Sequence, residues 1–328
     1  IIEVVSKNGG HLSSNLGTVE LTIALHYVLN TPEDKIVWDV GHQAYTHKLL
    51  TGRFSSFDTL RQLKGISGFP NIEESAYDVF TVGHGSTAIS QALGLVCARD
   101  LRKTGEKIVA VIGDGSLQGG MAFEALNQAG HLQKDILVVL NDNEWFISRG
   151  IGAMSKYLNR IITNPLYNRI HKDLEHLLKK IPRFGFQAYL SAKRLEKSLK
   201  NLLVPGIIFE ELGFRYFGPL DGHNLSLLIS TLKSILEIKG PRIIHVITKK
   251  GKGFKPAEEN PTQFHSALPF DINKGVFLSK KEKSFTQVFG EKIVGLAKIN
   301  PKILAITAAM SDGTGLNNFA KEFPERFF

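Results

Sequence analysis

Two polar clusters in this sequence have the residue types and spacing of a site for a metal ion and a phosphate group. Gly113-Asp114-Gly115 follows the apolar run 108–112, and Asn141-Asp142-Asn143 follows the apolar run 136–140. Apolar runs of this length are typical of strands buried on both faces of a parallel sheet. The helical stretch 121–129 lies between them, so both clusters are predicted at the carboxyl ends of neighbouring strands, where open α/β sheets bind ligands.

The side chains of the two clusters narrow the choice of ligand. Asp114 supplies a carboxylate and Asn143 an amide oxygen, which are the hard donors that Mg²⁺ prefers beside phosphate and water. The glycines beside Asp114 let the backbone approach an anion closely. The N–H groups at the start of the following helix favour phosphate. We therefore expect a Mg²⁺-bridged diphosphate at this edge.

The rest of the chain predicts the elements that position these clusters. Glycine and histidine follow other predicted strands, as in Gly41-His42, Gly83-His84-Gly85 and Gly251 to Phe254. Alternating strands and helices predict an α/β fold with a doubly wound, mainly parallel sheet and one shared site at its edge. The predicted strands are 36–40, 77–82, 108–112, 136–140, 214–217 and 242–248. The predicted helices are 18–29, one capped by Ser86 and ending near Leu101, 121–129, 209–212 and 224–237.

Composition excludes several classes of protein. The chain has 328 residues, 43% hydrophobic and 22% charged, which is typical of a soluble globular protein. No apolar run is long enough to span a membrane. The segment 151–203 carries eleven basic and three acidic residues, and so most of the net charge of +9. Because one segment holds that charge, we expect an amphipathic insertion with helices at 171–181 and 191–203, and no nucleic-acid partner. Cys97 is expected in the core, in a reducing compartment.

The two ends of the sequence suggest a piece of a longer protein. The first residue is Ile1 rather than Met, within a helical stretch, so we expect the natural amino terminus to be absent. The polar segment 280–284 is expected to be a domain linker. Beyond it, a predicted helix at 284–297, strand at 303–307 and helix at 316–323 indicate that residues 285–328 begin a second α/β domain.

Several further motifs resemble one family of enzymes. They are Gly10 to Gly17 (GHLSSNLG), Trp38 to Tyr45 (WDVGHQAY), Gly218 to His223 (GPLDGH), Thr262 to His265 (TQFH) and Ile306 to Met310 (ITAAM), together with the two clusters above. In this order they are similar to the 1-deoxy-D-xylulose-5-phosphate synthases, a branch of the transketolase-like enzymes.

The resemblance implies a thiamine diphosphate-binding fold, with a diphosphate-binding domain over 1–279 and the start of the pyrimidine-binding domain over 285–328. It implies the cofactors thiamine diphosphate and Mg²⁺. The implied reaction condenses pyruvate with D-glyceraldehyde 3-phosphate, with loss of CO₂, and serves isoprenoid, thiamine and pyridoxal biosynthesis. It also implies a homodimer in the cytoplasm, or in the plastid of a eukaryote that has one.

The resemblance also assigns roles to residues. The implied metal ligands are Asp114, Asn143 and the carbonyl of Trp145. The implied cofactor contacts are His42, Gly83, His84, Gly85, Gly115, Ser116, Asn143 and Phe254. The implied catalytic residues are His11, His42 and His265, with His42 at the cofactor end. Histidine suits proton transfer near neutral pH. His223 fits a turn role or catalysis equally, whereas the other histidines are interpreted as structural: His26, His47, His131, His171, His176 and His245.

Two residues depart from the family pattern, and two other functions remain open. Gly85 replaces a common serine and Phe254 a common tyrosine, each a loss of about 1 kcal/mol of hydrogen bonding. The family's activating glutamate would lie beyond Phe328, so residues 1–328 alone are expected not to turn over. The alternatives are a transketolase, or a split subunit of one, and a non-catalytic thiamine diphosphate-binding protein.

Overall fold

A single parallel sheet organises most of the chain. The computed structural model describes residues 1–143, 153–154, 156–158, 207–278, 283–308 and 310–328. Its main sheet has the strand order β1-β2-β3-β5-β4, with every neighbouring pair parallel. The strands are β1 (Lys35–Trp38), β2 (Ile108–Gly113), β3 (Leu137–Asp142), β4 (Arg215–Asp221) and β5 (Arg242–Ile247). A short antiparallel pair, β6 (Phe270–Asp271) and β7 (Val276–Phe277), lies apart from it.

The helices alternate with these strands, as the sequence pattern predicts. Those before β3 are α1 (Ile2–Asn8), α2 (Leu12–Gly17), α3 (Val19–Val28), α4 (Tyr45–Leu50), α5 (Ala88–Arg102), α6 (Asp114–Leu117) and α7 (Gly120–Leu132). Those after it are α8 (Ile207–Glu211), α9 (Leu225–Leu236), α10 (Lys255–Glu259), α11 (Phe285–Ile299) and α12 (Asn317–Glu322). Asn224 caps α9, with its side chain accepting a bond from the Leu227 N–H.

Helices cover both faces of the sheet, which confirms the doubly wound fold. Helices α5 and α7 pack on one face through a core that includes Ala92, Val96, Ala122, Leu126, Ala110, Val138 and Ile243. Helices α3 and α9 pack on the other through Leu21, Leu25, Leu228, Leu232, Val109, Val139 and Ile244. Strand β3 is buried along its whole length and β2 up to its last residue, because each face of each strand meets a helix layer.

A third apolar core joins the amino-terminal segment to residues 251–277. Gly10 and Ala267 exchange two backbone hydrogen bonds of 2.9 and 2.8 Å. The Ser13 N–H donates to the Phe264 carbonyl at 2.9 Å, and the Gly251 N–H donates to the Ser13 carbonyl at 2.8 Å. The amino-terminal segment and residues 251–277 are therefore held together by main-chain hydrogen bonds as well as by apolar packing.

Residues 283–328 have a small apolar cluster of their own. Ser284 caps α11 in a capping box with Gln287. Helices α11 and α12 pack through Val294, Ala297, Ala305, Leu316 and Phe319. Residues 280–282 of the predicted linker lie outside the described residues, so the domain boundary stays a prediction.

Two predicted strands are wrong. Residues 77–82 form no strand, because their backbone bonds go to loop residues and not to a neighbouring strand: the Asp78 N–H donates to the Ser75 carbonyl and the Val82 N–H to the Pro70 carbonyl. Of the predicted strand 303–307, only Ala305 forms an isolated bridge, with Phe327. Cys97 is half-buried at the margin of the first core rather than inside it. The predicted helices at 171–181 and 191–203 lie outside the described residues. Within the described residues, no helix is both long and apolar enough to cross a membrane.

Candidate active site at the carboxyl edge of the sheet

Four strands present polar residues, three of them predicted site residues, at one edge of the sheet. The loop after β1 contains His42, and the residue after β2 is Asp114. Asn143 follows β3, and Lys250 lies in the loop after β5. Because the strands are parallel, their carboxyl ends meet at the same edge. The polar clusters that the sequence analysis singled out are therefore neighbours in the fold.

A buried carboxylate holds the Gly83-His84-Gly85 loop against this edge. Asp39 directly follows β1 and is only 1% exposed. Its Oδ2 accepts the Ser86 N–H at 2.9 Å, and its Oδ1 accepts the N–H groups of Thr87 and Ala88 at 2.8 and 3.0 Å. These donors include N–H groups at the start of α5, which no helical carbonyl satisfies. The end of β1 thereby fixes where the glycine loop lies.

Ser86 has a different role from the predicted helix cap. Helix α5 begins after Thr87, with no side-chain cap, and Ser86 adopts a left-handed φ of 70°. Its hydroxyl donates to the Ser116 carbonyl at 2.6 Å, which ties the glycine loop to α6. A Cβ atom at Gly85 would lie 3.1 Å from the Ser116 hydroxyl oxygen. The glycine found here thus relieves a close contact with Ser116.

Asp114 is the buried acid at the centre of the site. It opens α6 and is 4% exposed. Burial, and secondarily the nearby charge of Asp142, raise the pKa of its carboxyl, whereas Lys250 and the Asn143 N–H act in the opposite direction. Burial in turn lowers the pKa of the Lys250 ammonium, against the attraction of Asp114. Two acids and one lysine therefore share a poorly solvated space, which favours an additional cation.

Three histidine rings lie together beside this acidic centre. The ring centroids of His11 and His42 are 5.4 Å apart, those of His11 and His265 are 5.6 Å apart, and those of His42 and His265 are 5.1 Å apart. Burial lowers the pKa of all three rings and is the largest cause in each case. The pKa of His11 falls to about 4 and that of His265 to about 3, and the pKa of His42 is also lowered. At neutral pH each ring is uncharged, so each has one donor and one acceptor nitrogen. Ser14 Oγ lies 3.1 Å from Nδ1 of His265.

Asn15 fixes the backbone that carries two of these histidines. It has no solvent exposure. Its Nδ2 donates to the carbonyl oxygens of His11 and His42 at 2.6 and 2.7 Å, and its Oδ1 accepts the Tyr45 N–H at 2.7 Å. The Tyr45 hydroxyl accepts the His11 N–H at 3.1 Å. One buried amide thus joins two loops that are distant in the sequence.

Phe254 lies in an aromatic cluster next to the histidines. Its ring is 5.8 Å from the rings of both Phe264 and Phe270, and the side chain is 9% exposed. Phe69 covers the site from another direction, with its ring 5.6 Å from that of His11. The surroundings of Phe254 are therefore apolar, which suits phenylalanine at this position.

Comparison with known proteins decides the family. The sequence model of the 1-deoxy-D-xylulose-5-phosphate synthase family matches residues 1–248. The chain belongs to this family. It is 57% identical over 331 residues to the 1-deoxy-D-xylulose-5-phosphate synthase of Halothermothrix orenii, covering 100% of this chain and 52% of that protein. It is 57% identical over 328 residues to that of Carboxydothermus hydrogenoformans, covering 100% of this chain and 53% of that protein. The chain spans about half the length of these relatives.

Solved structures of transketolases share the fold of this synthase-family chain. The transketolase of Leishmania mexicana superposes with a TM-score of 0.55 at 18% identity, covering 99% of this chain and 46% of that one. The transketolase of Campylobacter jejuni gives a TM-score of 0.55 at 17% identity, covering 96% of this chain and 56% of that one. At this level of identity the similarity establishes the fold alone.

The residues of this synthase-family chain fit a metal-bound diphosphate. Asp114 and Asn143 are adjacent hard oxygen donors, since the carboxylate of one accepts the N–H of the other. Buried nitrogens at the same edge, Nδ1 of His11 and of His42, have no hydrogen-bond partner among the described residues. Cβ atoms at Gly83 and Gly113 would meet nothing within 4 Å. The edge thus has donors, acceptors and space for a ligand.

The third predicted metal ligand, Trp145, lies outside the described residues. Within the described residues, no group of three or more His, Cys, Asp or Glu side chains is arranged to hold a metal ion. The expected metal ligands are the Asp114 carboxylate, the Asn143 amide and the Trp145 carbonyl. Only one of these three is a His, Cys, Asp or Glu side chain. The metal assignment therefore stays a prediction.

Several residues at this edge were missed by the sequence analysis. Asp39, Asn15 and Lys250 were given no role, although Asp39 carries the signal of a polar residue directly after a strand. Two histidines interpreted as structural bond to buried carboxylates through Nε2. His47 bonds to Asp78, 31 residues later, and His245 bonds to Asp142, 103 residues earlier. Their partners could not be identified from spacing.

His223 connects two loops rather than facing the other histidines. Its Nδ1 lies 3.2 Å from a Glu20 carboxylate oxygen, and its Nε2 accepts the Lys249 N–H at 2.8 Å. Both ring nitrogens are therefore engaged, Nδ1 with α3 and Nε2 with the loop after β5. This favours the turn role over catalysis.

Proposed function

We propose that this chain provides the metal- and diphosphate-binding half of a 1-deoxy-D-xylulose-5-phosphate synthase. The complete protein would condense pyruvate with D-glyceraldehyde 3-phosphate, releasing CO₂ and forming 1-deoxy-D-xylulose 5-phosphate. The observation that carries the proposal is the buried Asp114–Asn143 pair lying at the same sheet edge as the three histidines. Membership of the synthase family, shown over residues 1–248, supports the choice of reaction.

Asp114, Asn143 and the Trp145 carbonyl would hold Mg²⁺, and the glycine loop with Ser116 and His42 would hold the diphosphate. Thiamine diphosphate, when bound, supplies a ring that stabilises the carbanion left by decarboxylation. The buried Lys250 ammonium lies beside Asp114. Its positive charge would attract an anionic ligand such as the diphosphate. Mg²⁺ bound by Asp114 would remove the energetic cost of burying that carboxylate.

The histidines would handle protons at the substrate end. His11 and His265 are neutral near pH 7, so each can exchange a proton or a hydrogen bond with a substrate oxygen through a ring nitrogen. Ser14 bonded to Nδ1 of His265 leaves Nε2 of that ring as the atom for proton transfer. Asn15 keeps His11 and His42 at a fixed separation, which preserves the orientation that proton transfer needs.

Replacing the buried acid tests the proposal directly. The Asp114→Asn variant should weaken Mg²⁺-dependent binding of thiamine diphosphate by about 100-fold, because it removes the charged ligand. Isothermal titration calorimetry with thiamine diphosphate, in the presence and absence of Mg²⁺, measures the effect. Asp58→Asn, at an exposed position, is the matched control and should bind as the wild type does. Equal affinity of the Asp114 variant and the wild type would reject the site.

The reaction is distinguished from the alternatives by its products. The complete protein, supplied with pyruvate and D-glyceraldehyde 3-phosphate, should release CO₂, whereas a transketolase would act on a ketose phosphate donor without CO₂. Cofactor binding without either reaction would favour the non-catalytic protein. The 55–57% identity to three synthases over the whole chain favours the first outcome.

We also propose a homodimer that works in the cytoplasm. The homodimer follows the family pattern, and light scattering on the complete protein would measure the mass. The relatives named above are bacterial proteins, and the single free cysteine, Cys97, is compatible with a reducing compartment. Cell fractionation with an antibody to the chain would test the location.

A further inference from the structure

Three polar side chains, two buried and one partly buried, form a row that leads across the sheet to the proposed metal site. The Tyr216 hydroxyl lies 2.7 Å from Nδ1 of His245, and Nε2 of His245 lies 2.9 Å from Oδ2 of Asp142. His245 has no solvent exposure and Asp142 is 2% exposed. The three residues belong to β4, β5 and β3, which are adjacent strands.

The strand register places the row on one face of the sheet. His245 is paired with Leu140, two residues before Asp142, and Tyr216 is paired with Ile243, two residues before His245. Alternate residues of a strand share a face, so all three side chains point into the core beneath α5 and α7. The row therefore replaces apolar packing at this level with hydrogen bonds.

The hydrogen bonds of the row have one consistent direction. With Nε2 of His245 donating to the Asp142 carboxylate, Nδ1 of that ring is the acceptor for the Tyr216 hydroxyl. Each donor points toward the carboxylate, and the bonds of such a chain polarise one another. The row thus supplies hydrogen bonds to the Asp142 carboxylate, which is too buried to be solvated by water.

Asp142 lies between this row and the proposed ligands. Gly113 of β2 pairs with Asn141 of β3, so the next residues, Asp114 and Asp142, are neighbours across the sheet edge. Asn143 follows Asp142 directly. The β5 loop also holds this strand end, since the Thr248 N–H donates to the Asp142 carbonyl at 2.8 Å.

We propose that Tyr216 and His245 are positioning residues that hold the Asp142 carboxylate as a second, non-coordinating negative charge behind a divalent-cation site on Asp114 and Asn143. The inference rests on the proposed function and deepens it. A fixed carboxylate near the site attracts a dication without occupying a coordination position, and residues in this outer layer commonly tune metal affinity. The row would also restrict the orientation of the strand end that carries Asn143.

Binding of Mn²⁺, as a spectroscopic substitute for Mg²⁺, tests the inference in the complete protein with thiamine diphosphate present. The electron paramagnetic resonance signal of free Mn²⁺ gives the dissociation constant. We expect Asp142→Asn to raise it about 10- to 100-fold, and Tyr216→Phe, which removes one hydroxyl, to raise it about three- to tenfold. Tyr27→Phe, at a 65% exposed tyrosine, is the control and should leave it unchanged.

The double variant separates positioning from a merely structural role. If Tyr216 acts through His245 and Asp142, then Tyr216→Phe should have no further effect on the dissociation constant in the Asp142→Asn protein. A Tyr216 variant that melts earlier but binds Mn²⁺ as the wild type does would overturn the inference. So would an equal effect of Tyr216→Phe in both backgrounds.

The same experiment distinguishes this failure from failure of the proposed function. If the wild type binds no Mn²⁺, or Asp114→Asn binds as the wild type does, the metal site itself is rejected, and the inference is rejected with it. If Asp114→Asn abolishes binding while Tyr216→Phe and Asp142→Asn match the wild type, only the positioning role is rejected.

Discussion

Substitution of Asp39 by asparagine should weaken the attachment of the Gly83-His84-Gly85 loop, and the cost in free energy can be worked out from the hydrogen bonds of the carboxylate. The carboxylate accepts three backbone N–H groups, two at Oδ1 and one at Oδ2. An asparagine whose oxygen replaces Oδ1 keeps the bonds from Thr87 and Ala88 but points its own N–H₂ at the Ser86 N–H. The unsatisfied N–H costs about 1–3 kcal/mol, and the loss of charge from the other two bonds about 0.5–1 kcal/mol each, for a total of about 3 kcal/mol.

The free energy of unfolding of residues 1–328 measures this cost. Trp38 precedes Asp39 and is 2% exposed, so its fluorescence reports unfolding in guanidinium chloride close to the perturbed bond. Asp58→Asn, at an exposed position, should change the free energy of unfolding by less than about 0.5 kcal/mol. If Asp39→Asn also stays within that range, the three hydrogen bonds do not hold the loop, and the reasoning is refuted.

Two further predictions concern packing and pH. A methyl group on Gly130 in α7 would lie 1.6 Å from the Leu212 carbonyl oxygen, so Gly130→Ala should lower the free energy of unfolding by about 3 kcal/mol. Gly94→Ala in α5, where a Cβ would meet nothing within 4 Å, should raise it by about 0.5–1 kcal/mol; similar effects of the two changes in denaturant titrations would contradict the packing argument. Because the pKa values of His11 and His265 are lowered to about 4 and about 3, the unfolded chain binds protons below about pH 6.5 that the folded chain does not. The free energy of unfolding should therefore fall between pH 7 and pH 5, by about 1–2 kcal/mol for each of these two histidines. A variant with both His11→Asn and His265→Asn should show a fall that is smaller by about 2–4 kcal/mol when unfolding is measured at both pH values, while the contributions of His26, His42 and His47, whose pKa values burial also lowers, remain.

Most strands and helices of the main sheet could be predicted from the sequence, because local signals determine them. The strands β2 and β3 are continuous apolar runs, and the cap of α9 by Asn224 is a local side-chain bond. Their carboxyl ends share an edge in any parallel sheet, so the neighbourhood of Asp114 and Asn143 followed from the same signals. In these parts of the fold, residues a few positions apart in the sequence determine the secondary structure.

The failed strand at 77–82 has a long-range cause. The alternation of polar and apolar residues there resembles a strand, but Asp78 is buried and accepts hydrogen bonds from Arg53, His47 and the Asn71 N–H. These bonds hold the segment through side chains and leave it no neighbouring strand. Their partners are 25, 31 and 7 residues away. No periodicity in the sequence reports such pairings.

The same limit applies to the buried residues that hold the site residues in place. The bond between His245 and Asp142 joins residues that are 103 positions apart, and that between Asn15 and the His42 carbonyl joins residues 27 positions apart. A buried histidine and a buried asparagine each have ordinary structural uses, so residue type alone does not reveal their partners. Only the register of the strands and the packing of the loops bring these groups together.

The contacts between the amino-terminal segment and residues 251–267 impose an order on how the protein is made. Ser14 and His265 are bonded across 251 residues of sequence, which a ribosome adds in roughly 12–50 s at about 5–20 residues per second. During that time Val5 and Leu12, which are fully buried in the finished fold, lack the part of their core that residues 254–277 supply. Residues 5–12 thus reach some of their final contacts only after residues 251–267 have been made, and their apolar side chains are accessible to chaperones until then.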